Sequence, residues 1–170
     1  VIRHRTHGYR GVIVGWDEYG EDGDGWGVYA QRYGTDGMPV GTEFRVNQAT
    51  DGDQRDVAVA MAPDGRFVVV WQGPDASDSG IYARAYSASG VPQGSEVLVN
   101  ETTTGAQELP AVAMRRDGYA VVAWQGEDQG AGLNIYGRLL TPAGDPSGPE
   151  RRFNQVTEDD QQKVAVAAVG

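Results

Sequence analysis

Two kinds of apolar run alternate along the chain, and both are too short for helices. Stretches of small residues, Val57-Ala-Val-Ala-Met61 and Pro110-Ala-Val-Ala-Met114, are each followed by an Asp-Gly pair and then a bulkier run, Phe67-Val-Val-Val-Trp71 and Ala120-Val-Val-Ala-Trp124. Apolar residues nowhere recur at helical spacing over more than a few positions, so essentially no helix is expected. Asp64-Gly65 and Asp117-Gly118 are hairpin signals, because glycine enters a φ > 0 turn without a Cβ clash. Ile81-Tyr-Ala-Arg-Ala-Tyr86 and Glu96-Val-Leu-Val-Asn100 then alternate apolar with polar residues. Each unit therefore predicts four strands, a to d. Strands a and b, rich in Val and Ala, read as buried on both faces; c and d read as an outer pair with one wet face.

The unit recurs. Val28-Tyr29, Ile81-Tyr82 and Ile135-Tyr136 align, with the tyrosines 53 and 54 residues apart, and Asn47, Asn100 and Asn154 close strand d at the same spacing. Fixed periods of this length belong to arrays, propellers and solenoids. The expected fold is all-β, with about three four-stranded antiparallel repeats forming β-propeller blades; a three-fold closed β-trefoil or β-prism is the alternative. Residues 1–170 are expected to be a single repeat domain, with repeats at 1–55, 56–108 and 109–162 and residues 163–170 as the first strand of a further repeat. Three blades and a fraction do not close a ring in one chain. That leaves part of a longer array, a ring of several copies, or a closed three-fold fold.

Two resemblances follow from particular residues. Pro110-Ala-Val-Ala-Met114, Asp117-Gly118, Val121-Val-Ala-Trp124 and Ile135-Tyr-Gly-Arg138 resemble the blades of sialidase-type (BNR-like) β-propellers and the repeats of large bacterial secreted or surface proteins. The resemblance implies the propeller fold. The Ser-x-Asp-x-Gly-x-x-Trp box of sialidase repeats is missing, so no glycosidase is implied. The opening is different: Val1-Ile-Arg-His4, then Gly8-Tyr9-Arg10-Gly11-Val-Ile-Val-Gly-Trp16-Asp17, is similar to the first hairpin of the hemimethylated-DNA-binding/heat-shock-protein-Q family. It covers about 17 residues and implies DNA-binding or protease-adaptor work as a minor alternative.

Composition narrows the picture. A net charge of -10 argues against a phosphate-backbone partner, which calls for Lys/Arg patches. With no Cys there is no disulfide framework and no thiolate zinc site. No apolar run approaches the ~18 residues of a membrane span. Glycine, 25 of 170 residues, concentrates at the turns between strands.

Candidate chemistry is sparse. Tyr19-Gly-Glu21-Asp22-Gly-Asp24-Gly25 clusters carboxylates with permissive glycines, and its counterparts carry Asp75 with Asp78 and Glu127 with Asp128. Such loops can wrap Ca²⁺, which takes six to eight oxygens, or can be solvated acidic turns; Asp22, Asp24, Asp75, Asp78 and Asp128 are the candidate ligands, and Ca²⁺ is the one cofactor expectation. Trp16, Trp71 and Trp124 end strand b, where they either stack on sugar rings at a rim or form a packing layer between blades. Tyr29, Tyr82 and Tyr136 share that choice, and Trp26, which breaks the repeat, is the stronger ligand contact. Asn47, Asn100 and Asn154 suit Asx-turns, with Gln54, Gln107 and Gln161 capping the same corners. His4 and His7 are the only histidines, and at i, i+3 on a strand they face opposite sides, which leaves no shared metal site and no general base in a cleft.

The expected function is a non-catalytic binding or scaffolding module of an exported bacterial protein, extracellular or at the cell surface. Its inter-strand loops would bind a glycan or a protein; no nucleic acid and no membrane span are expected, and the assembly is a homo-oligomer or part of a longer chain. A three-fold carbohydrate-binding lectin is the competing class.

Overall fold

The computed structural model describes residues 11–20, 25–128, 132–156 and 158–168. Eleven strands and no helix occur among them: β1 (Val12–Tyr19), β2 (Trp26–Tyr33), β3 (Phe44–Arg45), β4 (Arg55–Met61), β5 (Phe67–Pro74), β6 (Ser79–Tyr86), β7 (Val97–Leu98), β8 (Gln107–Met114), β9 (Ala120–Asp128), β10 (Gly132–Leu140) and β11 (Pro146–Arg152). They form three antiparallel meanders, β1-β2-β3, β4-β5-β6-β7 and β8-β9-β10-β11. Each meander follows from a hairpin turn: in the second, Gly65 takes φ 90 while the Asp64 carboxylate accepts the Arg66 amide at 3.1 Å.

The sheets pack face to face in chain order. Ile13, Val28, Ala30 and Val46 of the first meet Phe67, Val69, Trp71 and Tyr86 of the second. Val68, Val70, Ile81, Ala83 and Val99 of the second meet Ala120, Val122, Trp124 and Leu140 of the third. Alternate residues of β5 thus enter different cores, as the two-residue period of a strand requires. This is a propeller-like stack of separate sheets.

Strand a departs from the expectation. β4 is half-buried along Val57–Met61, whereas Phe67–Trp71 of β5 is buried throughout. The reason is position: β4 borders β5 alone in its sheet. Strand c departs the other way, since β6 is largely buried and lies inside the sheet order. Its arginine is not a wet-face residue. Arg84 Nη1 donates to the Val46 carbonyl of the preceding sheet at 2.9 Å, and Arg138 Nη1 donates to the Val99 carbonyl at 2.9 Å. Each Nε is held by its own sheet, at Gly94 O (3.2 Å) and Gly148 O (2.8 Å). A carboxylate works beside each arginine. Glu96 accepts the amides of Gln48 and Ala49 at 2.6 and 3.0 Å, and Glu150 accepts those of Glu101 and Thr102 at 2.8 and 3.3 Å. Charge-assisted bonds of this kind are about twice as strong as neutral ones.

The inner strands share a bulge. Register shifts between Arg55 and Ala58 and between Glu108 and Ala111 coincide with left-handed backbone at Asp56 (φ 53) and Leu109 (φ 50). Lys163 (φ 58) occupies the same repeat position ahead of residues 164–168.

Tyr86 gives the fold a pH dependence. Its ring stacks on Phe67 with centroids 4.8 Å apart, and burial pushes its hydroxyl up to about 12. Because the folded value lies above the unfolded one of ~10, the contribution is complete below pH ~10 and is lost as pH rises from there toward 12. Replacing Tyr86 by Phe is expected to flatten the alkaline limb of a stability-versus-pH curve, measured by urea unfolding.

Candidate functional site

The b–c loops and the d–a corners lie at one end of the sheets, and a repeated polar frame holds them there. Asn47 Oδ1 accepts the Val28 amide (2.9 Å), Asn100 Oδ1 that of Ile81 (2.8 Å) and Asn154 Oδ1 that of Ile135 (2.8 Å). Each Nδ2 donates two residues onward, to Ala49, Thr102 or Val156. The expected Asx-like bond is present, and the side chain also continues the c–d ladder past the short strands β3 and β7. Gln54 caps its corner through the Asp51 and Gly52 carbonyls and accepts Asn47 Nδ2 at 2.8 Å. Gln107 Oε1 instead accepts the Trp124 indole at 3.0 Å.

The four tryptophans separate into different roles. Trp71 and Trp124 are 1 % and 0 % exposed. Their faces lie in the inter-sheet cores, which corrects the expectation of sugar-stacking surfaces: apolar rings of this size are driven between the sheets. Trp16 is half-buried, stacks on Tyr29 at 6.4 Å and donates its indole N–H to Glu18 at 3.2 Å. Trp26 is half-buried between the edge of Tyr19 (5.6 Å) and the Arg55 guanidinium (5.0 Å), with Arg55 paired to Asp53 at 2.6 Å. Nearby, burial and then the charge of Asp17 push the Asp56 carboxyl above its ordinary range.

A cavity of about 210 Å³ opens where the first d–a corner meets the second sheet. It is lined by Ala49, Asp51 and Gln54 of the corner, by Trp71, Gly73, Pro74 and Tyr82 of β5 and β6, and by Glu96. Tyr82 stacks on Trp71 at 6.1 Å and donates its hydroxyl to the Pro74 carbonyl at 2.6 Å. Burial, then the charges of Asp75 and Glu96, push that hydroxyl above its ordinary value. A Cβ at Gly73 would lie 3.4 Å from both Gln54 Cγ and the Tyr82 ring, in ordinary van der Waals contact. Sequence reasoning weighed Tyr82 and Gln54 separately. It did not bring Asp51 and Glu96 to the same cavity, because nothing in the spacing joins corners of successive repeats.

The acidic loops are described in part. Asp75 Oδ1 accepts the amides of Ser77 (2.9 Å) and Asp78 (3.0 Å), so this loop closes on itself as an Asx-turn. Asp22, Asp24 and the side chain of Asp128 lie outside the described residues. Among the described residues no group of three or more His, Cys, Asp or Glu is close enough to hold a metal ion. No helix among them is long and apolar enough to cross a membrane.

Comparison with known proteins reports on fold more than on chemistry. A family model described as YccV-like, hemimethylated DNA-binding protein YccV like, matches residues 1–44. No curated protein matches the chain. An α-L-arabinofuranosidase from Lactobacillus brevis superposes with a TM-score of 0.50 at 14 % identity, over 84 % of this chain and 50 % of that one. A thermostable family-43 glycoside hydrolase superposes with a TM-score of 0.53 at 14 % identity, over 89 % of this chain and 53 % of that one. The chain thus spans about half the length of both solved structures. At such identity the likeness is one of architecture, and it places this all-β repeat chain with the β-propellers.

Proposed function

We propose that this chain is a non-catalytic binding module that takes a sugar unit of a glycan at the junction of its first two sheets. The observation that carries the reading is the cavity lined by Tyr82, Asp51, Gln54 and Glu96. Its lining offers an aromatic ring and polar acceptors, and a sugar ring has a C–H face and hydroxyl donors to match both. Its 210 Å³ falls below the ~300–1,000 Å³ of drug-sized pockets, which suits one ring rather than a long chain buried end to end. Glu96 is committed to two backbone amides, so it acts as a fixed acceptor rather than as a proton donor. Trp26, beside the same first corner, provides a shelf for a neighbouring unit. The two solved structures of similar architecture, an α-L-arabinofuranosidase and a glycoside hydrolase, support this ligand class. The module would be presented outside a bacterial cell, with rigid sheets carrying variable loops.

A glycan array followed by calorimetry on the best binder tests this. Asp51→Ala and Tyr82→Ala are each expected to weaken binding at least tenfold, with the fold checked by circular dichroism. Unchanged affinity in both variants would remove this cavity from the site, and release of sugar from a bound oligosaccharide would overturn the non-catalytic reading. The calcium expectation rides on the acidic loops: a rise in melting temperature on adding Ca²⁺ would carry it, and an unchanged one would remove it.

The match of residues 1–44 favours one second reading, hemimethylated-DNA binding through the first sheet. Fluorescence anisotropy with hemimethylated and unmethylated duplexes separates the two. Salt-sensitive preference for the hemimethylated duplex would support it.

A further inference from the structure

The two junctions between the sheets follow one plan and differ in where a single amide lies. Gln54 and Gln107, Trp71 and Trp124, and Gly73 and Gly126 each stand 53 residues apart. At the second junction the Gln107 carboxamide lies over Gly126. Its Oε1 accepts the Trp124 indole N–H at 3.0 Å, and a Cβ added at Gly126 would collide with that oxygen and come within 3.0 Å of Gln107 Cδ. At the first junction the carboxamide is turned away. Gln54 Nε2 donates to the Asp51 and Gly52 carbonyls at 3.0 and 3.1 Å, and its Oε1 accepts Asn47 Nδ2 at 2.8 Å. What Gln54 leaves beside Gly73 is its Cγ, 3.4 Å from an added Cβ.

The place the amide has left belongs to the cavity of about 210 Å³ that Trp71 and Gly73 help to line, and it holds an unmet donor. Trp71 is 1 % exposed, and its indole N–H meets no acceptor among the described residues while not being fully enclosed. Nearly all buried donors in folded proteins are met, so this one marks where an acceptor from a ligand belongs. The same lining offers acceptors in the Asp51 and Glu96 carboxylates and apolar surface in Tyr82 and Pro74. Neither carboxylate is in an ion pair among the described residues.

We infer that the sugar unit taken here carries an acetamido group anchored on Trp71 Nε1, an inference that rests on the glycan reading of this cavity. The group repeats the Gln107 amide in kind. Its carbonyl oxygen accepts the Trp71 N–H as Gln107 Oε1 accepts that of Trp124. Its own N–H donates to a lining carboxylate, and its methyl lies against Tyr82 and Pro74. Other substituents match less of the lining. A hydroxyl accepts the indole N–H but leaves the apolar surface bare. A protonated amine brings donors alone and sets one against the indole N–H. A sugar carboxylate brings its charge against Asp51 and Glu96.

Titration of the whole chain with N-acetylglucosamine, glucosamine and glucose tests this, followed by nuclear magnetic resonance of the indole N–H signals. N-acetylglucosamine is expected to bind about tenfold tighter than the other two, roughly the worth of one hydrogen bond. It is expected to move the Trp71 signal and to leave that of Trp124, already bonded to Gln107, in place. Trp71→Phe keeps an aromatic ring, removes the N–H and is expected to abolish the preference; if that variant does not fold, the shift in the wild-type chain decides. Equal affinity for the three sugars, no binding of the acetamido sugar, or a Trp71 signal that stays put while it binds would overturn the inference. The cavity would still be a sugar site if Asp51→Ala and Tyr82→Ala weaken binding of whichever sugar is taken. Binding that both variants leave unchanged would overturn the glycan reading of the cavity and this inference together.

Discussion

Replacing Trp124 by alanine is expected to cost about 3–5 kcal/mol of folding stability, the range for removing a buried aromatic side chain. The ring is fully buried between the second and third sheets, against a cluster that includes Val68, Val70, Ile81 and Leu140. Its loss would leave a cavity that two stiff sheets cannot collapse to fill. It would also orphan Gln107 Oε1, which accepts the indole N–H at 3.0 Å and is itself buried. Trp124→Phe separates the two effects: most of the volume stays and only the hydrogen bond goes. The cost is then expected to fall to about 1–3 kcal/mol. Urea unfolding followed by far-ultraviolet dichroism measures both. A cost below 1 kcal/mol for the alanine variant would mean that the second and third sheets do not share a core.

The second large effect is expected at Asn100. Its carboxamide accepts the buried Ile81 amide and donates to the Thr102 carbonyl, so it stands in for a residue of strand d. Asn100→Ala leaves the Ile81 N–H without that acceptor, and an unmet buried donor costs about 1–3 kcal/mol. Asn100→Asp is the sharper variant. It keeps an acceptor for Ile81 but turns a negative oxygen toward the Thr102 carbonyl. It is expected to be the less stable of the two at neutral pH and to recover on acidification, when the protonated carboxyl can donate again. A stability difference that ignores pH would show that the corner rearranges instead of keeping this geometry.

Much of the fold was legible because it is written in repeats and turn chemistry. Asp64-Gly65 and Asp117-Gly118 mark hairpins through local backbone geometry alone, and the 53-residue spacing of Tyr29 and Tyr82 places each b–c pair in register. Strand c was harder to read. Arg84 and Arg138 look like solvent residues until the carbonyls of the preceding sheet are in place, and no local pattern contains those carbonyls. Strand d reads longer than it is, because Asn100 carries on the ladder with a side chain. The candidate site was legible only in pieces. Four tryptophans share one letter, yet Trp71 and Trp124 are core while Trp26 lies between Tyr19 and Arg55. Burial of a ring is decided by which sheet stacks on it, and that is a long-range fact.

The ties between successive sheets are selective in what they ask of sequence. Arg138 and Glu150 are required residues, but most of what they grip is backbone: the Val99 carbonyl and the amides of Glu101 and Thr102. Glu96 holds the amides of Gln48 and Ala49 in the same way. Since nearly every residue brings a carbonyl and an amide, the corner on the receiving side can drift in side-chain identity wherever its side chains take no part in the tie, which leaves out Gln48, whose Oε1 accepts the Glu96 amide at 2.8 Å, and Glu101, which pairs with Arg138 at 2.6 Å. Those corners also line the proposed binding cavity. A chain built like this can change what it recognises one loop at a time while the junctions that hold it together go on working unaltered.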